Sequence, residues 1–146
     1  MQNSNNTHNF GPILERTLKV IRQNVLQIFR DLDLDITTEQ WVILDSLHQQ
    51  DGQSQTDLAN SNFKDAPTLS RIIDLMCKKE MTERQRSEED RRSFNIFLTK
   101  KGKKIHQKAY PQILKLRKTG WNNLTDEDFT TFQRLMDQIY QNFAEK

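Results

Sequence analysis

Lysine and arginine are unevenly spread along this chain, and the place where they gather sets the chemistry to look for. The 146 residues carry a formal charge of only +2 at pH 7. The stretch from Lys64 to Lys104 nevertheless holds 12 basic and 7 acidic side chains, against 4 and 8 before it and 6 and 5 after it. A positive middle third is the footprint of an anion-binding face, although a solvated charged surface would account equally well for charge alone. Arg84, Arg86, Arg91 and Arg92 lie close together there, and guanidinium forks suit the paired oxygens of phosphate. Nothing in the chain has the pattern of an enzyme. There is no glycine-rich phosphate loop, no nucleophile elbow and no pair of catalytic acids. His8, His48 and His106 are scattered and lack ligand spacing, so neither a metal nor a cofactor is expected.

The elements that must position these cations are mostly helices. Four glycines and three prolines are too few for a many-turned β protein. Phe10 to Leu32 repeats apolar residues at Leu14, Leu18, Ile21, Val25, Ile28 and Leu32, a long amphipathic stripe. Thr37 and Gln40 have capping-box spacing and open a second helix through Trp41, Leu44 and Leu47. Ser54 to Asp57 reads as a second box, opening a short helix with Leu58 and Ala59 inward. After Ser61-Asn62 a further helix starts at Asp65, with Pro67 in its first turn and Leu69, Ile72, Ile73 and Met76 buried. Two short helices broken by a tight turn have the helix-turn-helix pattern. Thr82 to Ser87 and Phe94 to Leu98 then read as a β-hairpin tipped by Arg91 and Arg92, in the position of a wing. A basic-fronted helix from Thr99 to Asn122 follows, with a kink or restart expected at Pro111. Thr125 to Asp128 caps a last amphipathic helix through Phe143. The fold class is therefore mainly α with a small β-hairpin wing, in one domain of residues 1–146. Residues 36–104 form a winged helix-turn-helix lobe, flanked by dimerisation helices at 10–33 and 105–146. One small module cannot cover both terminal stripes, so the ends are expected to pair with a second copy as a homodimer. No run of apolar residues is long enough to span a membrane. Met1 to Asn9 reads as a short mobile arm without signal-peptide character. The one cysteine, Cys77, reads as a small buried hydrophobe and fits a reducing cytoplasm.

In this order and spacing the residues resemble the MarR family of bacterial transcription regulators, over nearly the whole chain. The resemblance is carried by Thr37-Thr38-Glu39-Gln40-Trp41, by Gln55 to Ala59, and by Leu69-Ser70-Arg71-Ile72-Ile73-Asp74. Its most specific part is the wing, Asp90-Arg91-Arg92-Ser93, followed by Phe97-Leu98-Thr99 and Gly102. Two features depart from the family pattern. Lys78-Lys79-Glu80 stands where the family usually has glycine after two lysines, so Glu80 either bears a left-handed backbone or the helix ends differently. Glu88 and Glu89 lie beside Asp90 and soften the wing's attraction for phosphate.

The resemblance implies a cytoplasmic regulator that binds double-stranded DNA, probing a near-palindromic operator with two recognition helices one duplex turn apart. It also implies a repressor released by a small aromatic effector. The rival reading is a winged-helix protein-interaction module without specific DNA binding. The resemblance makes Arg92 the wing arginine that enters the minor groove, with Asp90 orienting its guanidinium, and a narrow groove's negative potential suits such a tip. Arg84, Arg86 and Arg91 are further candidate phosphate contacts, with simple solvation the alternative for one or two of them. On the recognition helix Lys64, Thr68, Ser70 and Arg71 lie where base edges and phosphates are read. Asp65 is its cap, and Ser54 and Gln55 are placed to donate to phosphate. Phe29, Trp41 and His48 are candidate liners of an effector pocket, although core packing explains the first two equally well.

Overall fold

The computed structural model describes residues 7–144. The first six residues of the expected N-terminal arm lie outside the described residues. The elements run α1 (Gly11–Asp31), α2 (Thr38–Gln49), β1 (Gln53–Ser54), α3 (Gln55–Ser61), α4 (Ala66–Lys78), β2 (Thr82–Arg86), β3 (Phe94–Leu98), α5 (Lys100–Gly120) and α6 (Asp126–Ala144). They divide into two compact units, Met1–Ile113 and Leu114–Lys146.

The helix starts follow their capping chemistry. Thr37 and Gln40 form the full reciprocal box at α2: the Thr37 hydroxyl accepts from the Gln40 N–H and the Gln40 amide oxygen accepts from the Thr37 N–H, both at 3.1 Å. At α3 the Ser54 hydroxyl accepts from the Asp57 N–H at 3.0 Å. Three helix ends share a single geometry. At α1, Leu34 and Asp33 donate back to the carbonyls of Phe29 and Arg30. At α3, Lys64 and Phe63 donate to Ala59 and Asn60, and at α4, Met81 and Glu80 donate to Met76 and Cys77. These are Schellman turns, and each needs a left-handed residue just past the helix. That residue is Asp33 (φ 57°), Phe63 (φ 55°) and Glu80 (φ 63°), never glycine. Of the two alternatives at Glu80, the left-handed backbone is therefore the one found.

The sheet has three strands in the order β1-β3-β2, all antiparallel. The hairpin expected from the sequence is β2 and β3, with Arg84 opposite Ile96. The two-residue β1 was not legible as a strand; it pairs Gln53 with Ile96 and ties the start of α3 to the wing. Gly102 sits where a Cβ would strike the Met81 carbonyl oxygen, so the first turn of α5 can close against the base of the wing only with glycine there.

The core of the first unit is built on α2, where Ile43, Leu44 and Leu47 are fully buried. Leu58 of α3, Leu69, Ile73 and Met76 of α4, and Ile96 of β3 close around them, with Phe29 from α1 and Ala109 from α5. The first half of α1 is different: Leu14, Leu18 and Ile21 of its stripe are exposed. α5 is one helix from Lys100 to Gly120 with Pro111 inside it, so the restart considered there does not occur. In the second unit Trp121 meets Phe129 edge-on at 5.5 Å, and Thr125 and Asp128 form a reciprocal cap at the start of α6. No residue of α6 is buried. Among the described residues no helix is long and apolar enough to cross a membrane.

Candidate nucleic-acid interface

Two helix N-termini and the wing meet at one cleft. Ser54 caps α3 and leaves Gln55 in its first turn. Asp65 caps α4 by accepting from the Thr68 N–H at 2.7 Å, and a proline stands in that first turn. Hydrogen bonds from the Thr68 side chain and backbone, reinforced by Arg71 and Lys64, hold the Asp65 carboxyl below the usual carboxylate range. Asp65 is thus a charged cap at the positive end of the helix. The cleft, of about 380 Å3, is lined by Gln55, Asn60, Lys64, Asp65, Arg92 and Phe94 among others. Sequence-predicted residues from three separate elements, Gln55, Lys64 and Arg92, therefore share one concave surface. Thr68 and Ser70 are half-buried and Arg71 is exposed on α4, while Arg91 is exposed at the wing tip. Lys64 also approaches Glu39 of α2 at 4.0 Å.

The wing turn is shaped by Asp90, but not in the way expected. One carboxylate oxygen accepts from the Arg92 backbone N–H at 3.0 Å, and the other accepts from the Ser93 hydroxyl at 3.2 Å. Asp90 therefore fixes the backbone that carries Arg92 rather than its guanidinium, as an Asx turn does. Glu88, Glu89, Asp90 and Asp57 line a second cleft on the wing with Arg86. None of these acids lines the cleft of Lys64 and Arg92.

Two of the arginines read from the sequence as phosphate contacts turn out to be braces. Arg84 Nε donates to Gln55 Oε1 at 2.7 Å, Nη1 to Asp74 Oδ1 at 2.6 Å and Nη2 to the Ser70 carbonyl at 3.2 Å. One guanidinium from β2 so ties α3 and α4 together, and the Ser70 site acts here through its carbonyl. Because Gln55 uses its oxygen on Arg84, its amide NH2 remains the donor end at the cleft. Arg86 donates to the Arg91 carbonyl at 2.9 Å and lies over the Phe94 ring at 5.4 Å, stiffening the hairpin. Neither role has a local signal, because the partners are distant in sequence or on the other strand.

Of the candidate effector liners, two are buried and one is exposed. Phe29 and Trp41 are buried in the core with ring centroids 5.9 Å apart. His48 is exposed and stacks on His106 at 3.9 Å. His106, which the sequence showed only as one of three scattered histidines, is buried, stacks on Trp41 and lies 2.9 Å from Asp45 Oδ1. Cys77 is half-buried, 3.5 Å from the Thr82 hydroxyl.

A helix pair with its recognition helix capped beside an arginine-bearing hairpin defines a winged helix-turn-helix protein. Residues 36–94 match the family model described as MarR family. Over 127 residues the chain is 26% identical to the HTH-type transcriptional regulator YpoP of Bacillus subtilis, covering 87% of this chain and 88% of that one. The fold is similar to that in the S. aureus MepR-DNA complex, with a TM-score of 0.81 and 23% identity over 93% of this chain and 99% of that one. It is also similar to the PcaV transcriptional regulator from Streptomyces coelicolor in complex with its natural ligand, at a TM-score of 0.77 and 15% identity, covering 97% and 98%. Residues 36–94 thus carry a MarR-family match, and across most of its length the chain is similar to HTH-type transcriptional regulators.

Proposed function

We propose that this chain is a dimeric, sequence-specific regulator that binds double-stranded DNA, a repressor released by a small aromatic effector. The observation that carries the DNA reading is the single cleft shared by Gln55 of α3, Lys64 and Asp65 at the start of α4, and Arg92 of the wing. A recognition helix entering the major groove by its N-terminus would bring these groups to phosphate, while the wing arginine reaches the neighbouring minor groove. Ser54, Thr68, Ser70, Arg71 and Arg91 lie on the same elements and complete the contact set, with Arg84, Arg86 and Asp90 holding it in place. MepR, similar in fold, has been crystallised with DNA, which supports this reading. Residues 36–104 would be the DNA-binding lobe. The exposed stripes of α1 and α6, within 10–33 and 105–146, would be covered by a second copy, so that the operator is near-palindromic. Release by an effector rests on the likeness to PcaV, whose structure holds its natural ligand.

The test is selection of bound duplexes from a random pool, followed by salt titration of the best binder and of random DNA. The expected outcome is a near-palindromic site bound about a thousandfold tighter than random DNA, with a steep salt slope. Arg92→Ala should weaken binding by about tenfold or more and leave the dimer intact. Binding that is weak and indifferent to sequence would overturn the reading in favour of a protein-binding winged helix. An operator complex that no aromatic compound dissociates would remove the effector alone.

A further inference from the structure

Asp65 is, among the described residues, the one acid that lines the cleft of Gln55, Lys64 and Arg92. A carboxylate is out of place on a surface that meets phosphate, because it repels the oxygens that Lys64 and Arg92 attract. It also fills the end of α4, where an outside anion would otherwise bind, since the Thr68 N–H already donates to Asp65 Oδ1 at 2.7 Å. Capping alone does not call for this charge. Serine and asparagine cap about as well as aspartate, and α2 and α3 of the same unit are capped by the neutral Thr37 and Ser54. The Thr68 hydrogen bonds hold the Asp65 carboxyl below the usual range, so it is an anion at neutral pH. The cap does not exhaust it either. An ionised carboxylate offers about four acceptor positions, Thr68 takes part of them through its side chain and backbone, and Asp65 is exposed. Lys64 Nζ approaches Glu39 at 4.0 Å instead. The cleft therefore presents a fixed, acceptor-only group beside its cations.

We infer that Asp65 is a specificity-determining residue, accepting from the N4 amino group of a cytosine in the major groove while Lys64 and Arg92 face phosphate. The inference rests on the DNA-binding reading above. The first residues of a recognition helix are the ones that reach base edges. Cytosine offers the groove an amino donor and no acceptor of its own. Guanine and thymine turn acceptors there, and adenine sets its N7 acceptor beside its amino group. The charge thus works twice. It attracts the cytosine amino group, and it penalises every register that brings a phosphate or a base acceptor to the same place. Discrimination rises at the expense of affinity for random DNA.

Selection of bound duplexes by the full chain, by Asp65→Asn and by Asp65→Ser tests it. Both replacements keep a capping side chain, and Tm at neutral pH checks that the fold is kept. The parent should select cytosine at one position in each half-site, and another base there should weaken binding by about tenfold. Both variants should lose that preference and keep the others. Both should also bind a random duplex about fivefold tighter than the parent does. If all three proteins select the same bases while Arg92→Ala still weakens binding, Asp65 is a cap alone and only this inference falls. Equal weakening of operator and random DNA, the mark of a displaced helix, would also overturn it, as would a lost preference for a base other than cytosine. If the parent selects no site and Arg92→Ala binds as the parent does, the DNA-binding reading falls and this inference falls with it.

Discussion

α4 and α6 are both amphipathic helices of good length, yet α4 hides its stripe and α6 does not. Leu69, Ile73 and Met76 of α4 have no accessible surface, while Phe129, Phe132 and Leu135 of α6 are each about half exposed at 50%, 48% and 46%. Asp65 caps α4 and a Thr125–Asp128 box caps α6, and both helices carry their apolar residues at helical spacing. The difference lies in what surrounds them. α4 is enclosed by α2, α3 and the sheet of its own unit, whereas in the Leu114–Lys146 unit Trp121 packs its ring on Phe129 and Phe132 of α6 and leaves both half exposed. An amphipathic pattern fixes which face of a helix is apolar, and not what covers it. In α4 the stripe serves to hold a polar face outward, toward the cleft. In α6 the stripe itself is exposed.

The largest expected effect lies on the covered side. Ile73→Ala should destabilise the fold by about 2–5 kcal/mol, because the site is enclosed on every side and cannot collapse around the lost atoms. Chemical denaturation measures it, and a loss below about 1 kcal/mol would mean that α4 is less tightly held than its burial indicates. Next in size is the uncovered side. In the proposed dimer, Leu135→Glu places a charge in the apolar contact and should weaken self-association by roughly a hundredfold. The circular dichroism of the helices should be retained. Sedimentation at several concentrations reads the mass, and an unchanged mass would show that α6 is not part of the contact between copies.

The two helices also mark the limit of what the sequence discloses. Periodicity located both, and local chemistry located their starts, Asp65 with Pro67 and Thr125 with Asp128, as Thr37 with Gln40 located that of α2. The wing was legible because alternation at Phe94, Ile96 and Leu98 follows a polar turn, and because Asp90-Arg91-Arg92 has a recognisable spacing. What was missed depends on partners remote in the chain. β1 is two residues long and exists because β3 has an open edge beside it. Arg84 reads in the sequence as a phosphate contact, and only the approach of Gln55 and Asp74 makes it a brace. Asp90 was paired with the right residue but the wrong group, since an Asx turn and an ion pair leave the same trace in a sequence. Pro111 shows the converse, since the restart it suggested is not found and one helix runs through it.

Smaller effects sharpen the comparison at the helix ends. Glu80, at the end of α4, stands in the left-handed region where glycine is favoured. Glu80→Gly relieves about 1–2 kcal/mol of backbone strain and returns about 0.4–1 kcal/mol through the looser unfolded chain. The net expectation is a stabilisation of about 0.5–1 kcal/mol, seen as a higher denaturation midpoint with an unchanged slope. A lower midpoint would mean that the Glu80 side chain contributes more than its backbone costs.

The smallest effect concerns the caps. Asp65 at α4 has its carboxyl held low by the Thr68 hydrogen bonds, with Arg71 and Lys64 adding to it. A depressed carboxylate favours the folded state above its unfolded value, near 3.9, and that contribution disappears as pH falls through the lower, folded value. Asp65→Asn keeps an acceptor at the cap without the charge. It should therefore leave the fold nearly as stable at neutral pH and flatten the loss of stability below about pH 4. At α6, where the box of Thr125 and Asp128 is reciprocal, the hydroxyl half of the cap has no charge to lose and Thr125→Ser should leave the acid limb of the curve unchanged. Unfolding followed from pH 2 to 7 compares the two. If the Asp65→Asn curve retained the parent's acid limb, the charge at the start of α4 would have no part in holding that helix, and its cap would be equivalent to a neutral one.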